Sequence, residues 1–219
     1  MILIKVELLT HTPNLEKICA TAAKLCYSPG MPKLVDITPD KARPFLEKIL
    51  ANGHLSTLEH ASLTFSVEGI SRACSHQLVR HRLASFSQQS QRYVKQEEPH
   101  FIVPQSVIDA GQADRYNQAM EYAWAFYRAM CNAGIPAEDA RFVLPNATET
   151  KLVLTMNVRE LLHFFSLRCC KRAQWEIRAL AEQMLELCAK ESPILFDMAG
   201  PGCVRGACPE GNMTCGEYL

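Results

Sequence analysis

A mixed α/β (α+β) fold in a single domain is what this chain predicts. Three observations carry the expectation: helical stretches outnumber strands, the strands are scattered among the helices, and no linker, internal repeat or low-complexity run divides the 219 residues. The expected form is a mixed β-sheet flanked by several helices. With 48% hydrophobic and 21% charged residues, the composition suits a globular protein with a substantial core.

The elements follow in order. Ile2 to Leu9 has the mixed apolar pattern of a first strand, and Thr12-Pro13-Asn14 opens a helix through about Tyr27 that Ser28-Pro29-Gly30-Met31-Pro32 breaks. Thr38-Pro39-Asp40 supplies an N-cap, a proline at the first helical position and a first-turn acid, so a second helix runs to Asn52-Gly53, with Pro44 unusual in its first turns. Ala61 to Val67 alternates apolar and polar residues as a strand does, and Gly69 is expected to end it. From Ile70, the apolar residues Ile70, Ala73, Cys74 and Leu78 share one helical face, leaving Arg72, His76, Gln77, Arg80 and His81 on the remaining surface. Phe86 to Gln91 is rich in Ser and Gln without helical period and reads as a loop. A long helix spans about Ala113 to Ala133, stopped by Gly134, and a short one spans Pro136 to Phe142 before the break at Pro145-Asn146. Lys151 to Met156 reads as a strand, followed by helices over Val158 to Leu167 and Ala173 to Lys190.

The N-terminal stretch Met1-Ile2-Leu3-Ile4-Lys5-Val6-Glu7 lacks the features of a signal peptide, and no apolar run reaches the roughly 18 to 20 residues of a membrane span. The expected location is cytoplasmic, without a membrane partner. There the ten cysteines should be reduced. Cys19, Cys26, Cys74, Cys131, Cys169, Cys170 and Cys188 lie in apolar helical stretches and are expected in the core as small hydrophobes. Cys203, Cys208 and Cys215 fall in a Gly/Pro-rich tail.

Charge distribution is the anomaly. Lys plus Arg number 23 and Asp plus Glu 23, which gives no support to a broad nucleic-acid-binding surface. Yet Ile70 to Lys95 contains no acid and holds Arg72, Arg80, Arg82, Arg92, Lys95, His76 and His81. Such a window points to an anionic ligand, and its arginines favour bidentate recognition of phosphate or carboxylate. Ser85, Ser87, Gln88, Gln89, Ser90 and Gln91 add neutral donors. A solvated basic helix face is the plainer reading of the same residues. Gly-x-Gly-x-x-Gly, the P-loop motif, Gly-x-Ser-x-Gly and His-Glu-x-x-His are all missing, so Rossmann, P-loop, nucleophile-elbow and zincin chemistries gain no support.

Arg80-His81-Arg82 followed by seven residues and Ser90, continuing as Gln91-Arg92-Tyr93, resembles the signature of the flavin-dependent thymidylate synthase family. The resemblance extends to Gly53-His54 with Glu59-His60, Gln77, Ala140-Arg141-Phe142-Val143-Leu144-Pro145, Asn157-Val158-Arg159, and Leu167-Arg168 before Ala173-Gln174-Trp175-Glu176, in the family's order. It implies reductive methylation of dUMP to dTMP, with methylenetetrahydrofolate as carbon donor, FAD as hydride carrier and NADPH as reductant. It also implies a homotetramer with active sites shared between subunits, and a catalytic domain over residues 1–199 followed by a tail over 200–219.

By the same resemblance Ser56, Arg80, His81, Arg82, Gln88, Asn157, Arg159 and His163 match flavin-contacting positions. Gln77, Arg80, Gln88, Gln89, Ser90, Gln91, Arg92, Arg141 and Arg168 match nucleotide-binding positions, and His54 a position beside flavin and folate. Gln88 and His163 stand where many members carry Glu and Asn. Arg168 is the expected catalytic residue, since carbon nucleophilicity at uracil C5 develops negative charge in the ring that a fixed guanidinium stabilises. Ser90 has no adjacent base to make it a nucleophile and is expected to donate to the substrate phosphate. A non-catalytic nucleotide- or RNA-binding protein is the competing reading, weakened by the neutral net charge and the absence of aromatic stacking motifs. The thymidylate synthases that attack uracil with a Pro-Cys cysteine are not matched, because no Pro-Cys occurs. No metal is expected: the tail's Cys203, Cys208 and Cys215 are one ligand short of a usual structural zinc site, although Cys169, Cys170 or a neighbouring subunit could complete one.

Overall fold

The computed structural model describes residues 4–217; Ile2 and Leu3 of the expected first strand lie outside them. In chain order the elements are β1 (Lys5–His11), α1 (Leu15–Leu25), α2 (Pro39–Ala51), a 3-10 turn at Leu55–His60, β2 (Ser62–Ser71), α3 (Arg72–Leu78), β3 (Ala84–Gln88), α4 (Gln105–Asp109), α5 (Ala113–Asn132), α6 (Ala137–Ala140), β4 (Glu149–Asn157), α7 (Val158–Arg168), α8 (Trp175–Glu191) and α9 (Pro193–Phe196). The four strands form one sheet in the order β1-β2-β4-β3.

The expected mixed sheet is corrected to an antiparallel one. Thr12 N donates to Ser62 O (2.9 Å), Arg72 N to Thr148 O (2.9 Å) and Gln89 N to Lys151 O (3.0 Å), so each strand's end meets the beginning of its neighbour. Alternation along β4 buries Thr150, Leu152, Leu154 and Met156, as alternation along β2 buries Leu63, Phe65 and Val67. Thr64 and Thr155 share a 2.9 Å hydroxyl contact on the other face.

Three element boundaries differ from expectation. Gly69 does not end β2: its φ of +74° lets the strand continue through a position where other residues would be strained, and pairing resumes to Ser71. The helix expected from Ile70 therefore starts at Arg72 and ends at Leu78, which leaves Arg80 and His81 beyond its end. The expected loop over Phe86 to Gln91 contains β3, whose alternate residues Ala84, Phe86 and Gln88 are half-buried. The other expected helices match their signals closely, α2 keeping Pro44 inside and α5 ending before Gly134 at φ +86°, while the short helices α4 and α9 are additional to those expected.

Contacts divide the chain into two units. Among the described residues one comprises 4–5, 67–80 and 87–153, and the other 6–66, 81–86 and 154–217. In the first, Trp124 and Tyr127 of α5 are buried, with Phe101 packed at 5.9 Å from the Trp124 ring and Tyr127 Oη accepting from Gln96 N at 3.2 Å. In the second, Phe165 packs against Phe164 (5.7 Å) and Phe196 (6.1 Å), and α7 lies against α8 and the Leu55–His60 turn. Aromatic packing of this kind adds to the area removed from water.

The cysteines are more divided than expected. Cys19, Cys74, Cys169 and Cys188 are buried, but Cys26 is exposed and Cys131 and Cys170 half-buried, because they fall on helix ends and edges that the core does not cover. Among the described residues no helix is long and apolar enough to cross a membrane.

Candidate active site

Helix α7 positions the most constrained group. Strand β4 runs directly into it, and Asn157 caps the junction by accepting from Glu160 N at 2.8 Å. That cap sets the helical register, turning Val158, Leu161, Leu162, Phe164 and Phe165 inward. Glu160, Phe164 and Arg168 then fall at i, i+4 and i+8, one stripe that spans about 12 Å. His81 stands against this stripe. Its Nδ1 meets Glu160 Oε1 at 3.0 Å, with the two side chains only 4% and 6% exposed. Arg168 Nε donates to its other ring nitrogen, Nε2, also at 3.0 Å. The Phe164 ring closes on the imidazole edge-on at 4.9 Å.

The protonation pattern follows from what each group can do. A guanidinium only donates, so Nε2 of His81 is a bare acceptor, and the ring proton sits on Nδ1 facing the Glu160 carboxylate. Burial pushes the His81 pKa below the ordinary imidazole value. The hydrogen bond to Glu160 pulls it back up, and the charges of Arg168 and His163 press it down again. Both ring nitrogens of His81 are thus engaged inside the protein. Arg168 is half-buried, and its two terminal nitrogens make no hydrogen bond within the described residues.

The same unit holds His54 and Ser56, both exposed at the Leu55–His60 turn, and Arg159, whose Nη1 pairs with Glu59 Oε1 at 2.5 Å. Asn157 spends its side-chain oxygen on the cap, and its amide nitrogen makes no hydrogen bond within the described residues. Arg82 and His163 are exposed.

The other unit gathers the rest of the expected residues. Gln88 at the end of β3 donates through Nε2 to Ser75 Oγ (2.9 Å) and Thr150 Oγ1 (3.1 Å). Gln89 is held by its backbone, and Gln77 and Gln91 are half-buried. Ser90 Oγ accepts from Arg92 N at 3.2 Å, and among the described residues no basic side chain hydrogen-bonds to it. Glu138 organises two cations, its carboxylate accepting from Arg92 Nε (2.8 Å) and its backbone oxygen from Arg141 Nε (3.0 Å). The ion pair is half-exposed and contributes about 1 kcal/mol at most, so its effect is to aim Arg92.

Arg72 was absent from the residue set expected to bind the nucleotide. Burial, and then the positive charge of Arg141, push its pKa below the usual arginine value. Its signal in the sequence was membership of the acid-free window. Arg80 is exposed, and neither it nor Arg82 makes a side-chain hydrogen bond or ion pair within the described residues.

Cavities add one observation about the tail. Cys203, Cys208 and Cys215 line, with Cys169 and Cys170, a cavity of ≈ 390 Å³. Among the described residues no three His, Cys, Asp or Glu side chains are placed to hold a metal ion. A second cavity of ≈ 600 Å³, lined by Leu50, Leu162, Leu195 and Met198 with Arg43 and Arg205, contains none of the expected site residues.

Comparison with known proteins identifies the family. The family model described as thymidylate synthase complementing protein matches residues 7–194. A flavin-dependent thymidylate synthase of Geobacter sulfurreducens is 56% identical over 218 residues, covering 97% of this chain and 94% of that protein. One from Clostridium tetani is 47% identical over 233 residues, covering 98% and 94%. Among solved structures, the UMP/dUMP methylase PolB from Streptomyces cacaoi, bound with 5-Br dUMP, aligns with a TM-score of 0.80 at 28% identity, covering 89% of this chain and 93% of that one.

The cap at the head of α7 has a measurable weight. Asn157→Ala is expected to lower stability by about 1 kcal/mol in urea unfolding, whereas Asn157→Asp, which keeps the accepting oxygen, should retain it.

Proposed function

This chain belongs to the flavin-dependent thymidylate synthase family, and from that premise we propose that it methylates dUMP to dTMP with methylenetetrahydrofolate as carbon donor, FAD as hydride carrier and NADPH as reductant. The observation that carries the reading is Arg168: a guanidinium held through Nε by a buried histidine, with both terminal nitrogens open. Such a group is preorganised for negative charge that develops in a substrate. Uracil develops that charge along its N3/O2 edge when C5 becomes a nucleophile, and two parallel donors suit the edge. No cysteine nucleophile is required. Cys169, beside Arg168, has its thiol pKa pushed up to about 12 by burial and by the charge of Glu182, which suits packing and not attack.

The donor set also fits FAD. Arg80 and Arg82 are exposed guanidiniums without acid partners among the described residues, suited to a pyrophosphate, and the amide nitrogen of Asn157 can meet a ring carbonyl. When bound, FAD supplies the hydride that completes the methyl group. Arg159, Ser56, His163 and Gln88 are assigned to the same cofactor, and His54 to the folate side.

The nucleotide is assigned to the arginine cluster. Arg72, Arg92 and Arg141 neutralise its phosphate, Ser90 donates a hydrogen bond to it, and Gln77, Arg80, Gln88, Gln89 and Gln91 complete the contacts. Exposed apolar side chains in the signature segments, Leu83 (70%), Tyr93 (80%) and Phe142 (82%), support a homotetramer that covers them. Ten cysteines outside any disulfide support a reducing, cytoplasmic setting. Residues 1–199 are read as the catalytic domain and 200–219 as its tail.

Purified protein is expected to carry or take up FAD and to convert dUMP to dTMP. Protein that shows no flavin absorption and takes up none would overturn the reading. Arg168→Ala should reduce dTMP formation by roughly 10²- to 10³-fold or more while FAD stays bound; undiminished turnover would remove Arg168 from the chemistry. Ser90→Ala should weaken dUMP binding about 10- to 100-fold, the worth of one hydrogen bond to a charged group, while turnover persists at saturating dUMP. Abolished turnover with normal binding would instead make Ser90 a nucleophile.

A further inference from the structure

We propose that Glu160 and His81 are positioning residues for Arg168: the buried Glu160 carboxylate fixes His81 as its neutral Nδ1–H tautomer, and the bare Nε2 of that ring holds Arg168 by its Nε, leaving the terminal nitrogens to serve the nucleotide. The inference rests on Arg168 being the group that meets the uracil ring.

Stability alone does not explain the arrangement. The inward face of α7 is otherwise Val158, Leu161, Leu162, Phe164 and Phe165, and a carboxylate in that company is costly unless partnered. Replacing buried polar partners with apolar residues of like volume is often neutral or stabilising. Glu160 has a directional effect that an apolar residue would lack. Facing Nδ1 at 3.0 Å, it selects one of two tautomers, and only that tautomer offers Arg168 an acceptor. With the proton on Nε2, two N–H groups would oppose each other across the same 3.0 Å, and Arg168 would swing away.

Protonation of His81 has the same consequence, so the relay carries a pH dependence. The groups facing the ring are Glu160, which favours the imidazolium, and Arg168 and His163, which oppose it along with burial. Phe164 covers the ring without charge. Above the His81 pKa the ring is neutral and Arg168 is held; as pH falls through that pKa the hold is lost. Removing the Glu160 charge lowers the His81 pKa further and moves this loss to lower pH. It also frees the tautomer, since a glutamine amide can present either its oxygen or its NH₂ to Nδ1.

The test compares wild type, Glu160→Gln and His81→Gln as FAD-loaded full-length enzymes. Turnover is followed against pH, and dUMP affinity is measured calorimetrically at the same pH values without turnover. Glu160→Gln should lower kcat by up to about 100-fold at pH 8, the cost of a misplaced catalytic group, with FAD content unchanged. Its acidic limb, in both kcat/KM and dUMP affinity, should lie at lower pH than in wild type. His81→Gln keeps an acceptor oxygen for Arg168 and cannot titrate, so the limb belonging to this group should vanish. The phosphate's own titration near pH 6 is common to all three proteins and cancels in the comparison. Acidic limbs that coincide in wild type and both variants would overturn the relay. Wild-type protein that neither binds dUMP nor forms dTMP would overturn the functional reading beneath it, a result distinguishable from failure of the relay alone.

Discussion

The site rests on a carboxylate buried on the inward face of α7, beside Leu161, Leu162, Phe164 and Phe165. Glu160 needs a partner, the partner is His81, and satisfying the pair fixes three things at once. It ties the segment after α3 to α7, it commits the imidazole to one tautomer, and it makes the far side of that ring an acceptor for Arg168. The cap at Asn157 is the upstream condition, because it sets the register that brings Glu160, Phe164 and Arg168 onto one stripe. A slip of one residue in that helix would rotate the stripe by about 100° and separate all three from the ring.

Electrostatics in the other unit follow a complementary logic. Arg72 and Arg141 act on each other as like charges, while Glu138 draws in Arg92 by its side chain and Arg141 by its backbone. One acid thus orders two bases without neutralising the whole group, which leaves a surplus of positive charge there. A net charge of zero for the chain conceals this concentration, since the acids lie elsewhere in the sequence.

Much of this was legible in the sequence because it was written as local signals. The Thr38-Pro39-Asp40 start, the long helix over Ala113 to Ala133 and the strand over Lys151 to Met156 each matched an element within a few residues. The acid-free window pointed to an anion, and the Arg-His-Arg-x7-Ser resemblance pointed to the family. What escaped was ambiguous locally. Gly69 reads as a stop, yet a positive φ inside β2 is an equally good use of glycine. Strand β3 is five residues of mostly polar side chains, too short for its alternation to stand out. Glu160 reads as a first-turn acid welcomed by the helix dipole, and only packing shows that it points inward. Its i, i+4, i+8 spacing to Phe164 and Arg168 was available, but nothing in the linear text placed His81 between them. The same resemblance assigned His81 to the flavin, and the fold adds that its two ring nitrogens meet Glu160 and Arg168.

The central claim is that a neutral Nδ1–H imidazole at position 81 holds the guanidinium that meets the nucleotide. Nitrogen-15 chemical shifts of the His81 ring, read in histidine-labelled enzyme from pH 8 downward, test this most directly. The account predicts a single neutral tautomer protonated at Nδ1 that persists to a pH below that of an ordinary histidine. An imidazolium at neutral pH, or a neutral ring protonated at Nε2, would contradict it.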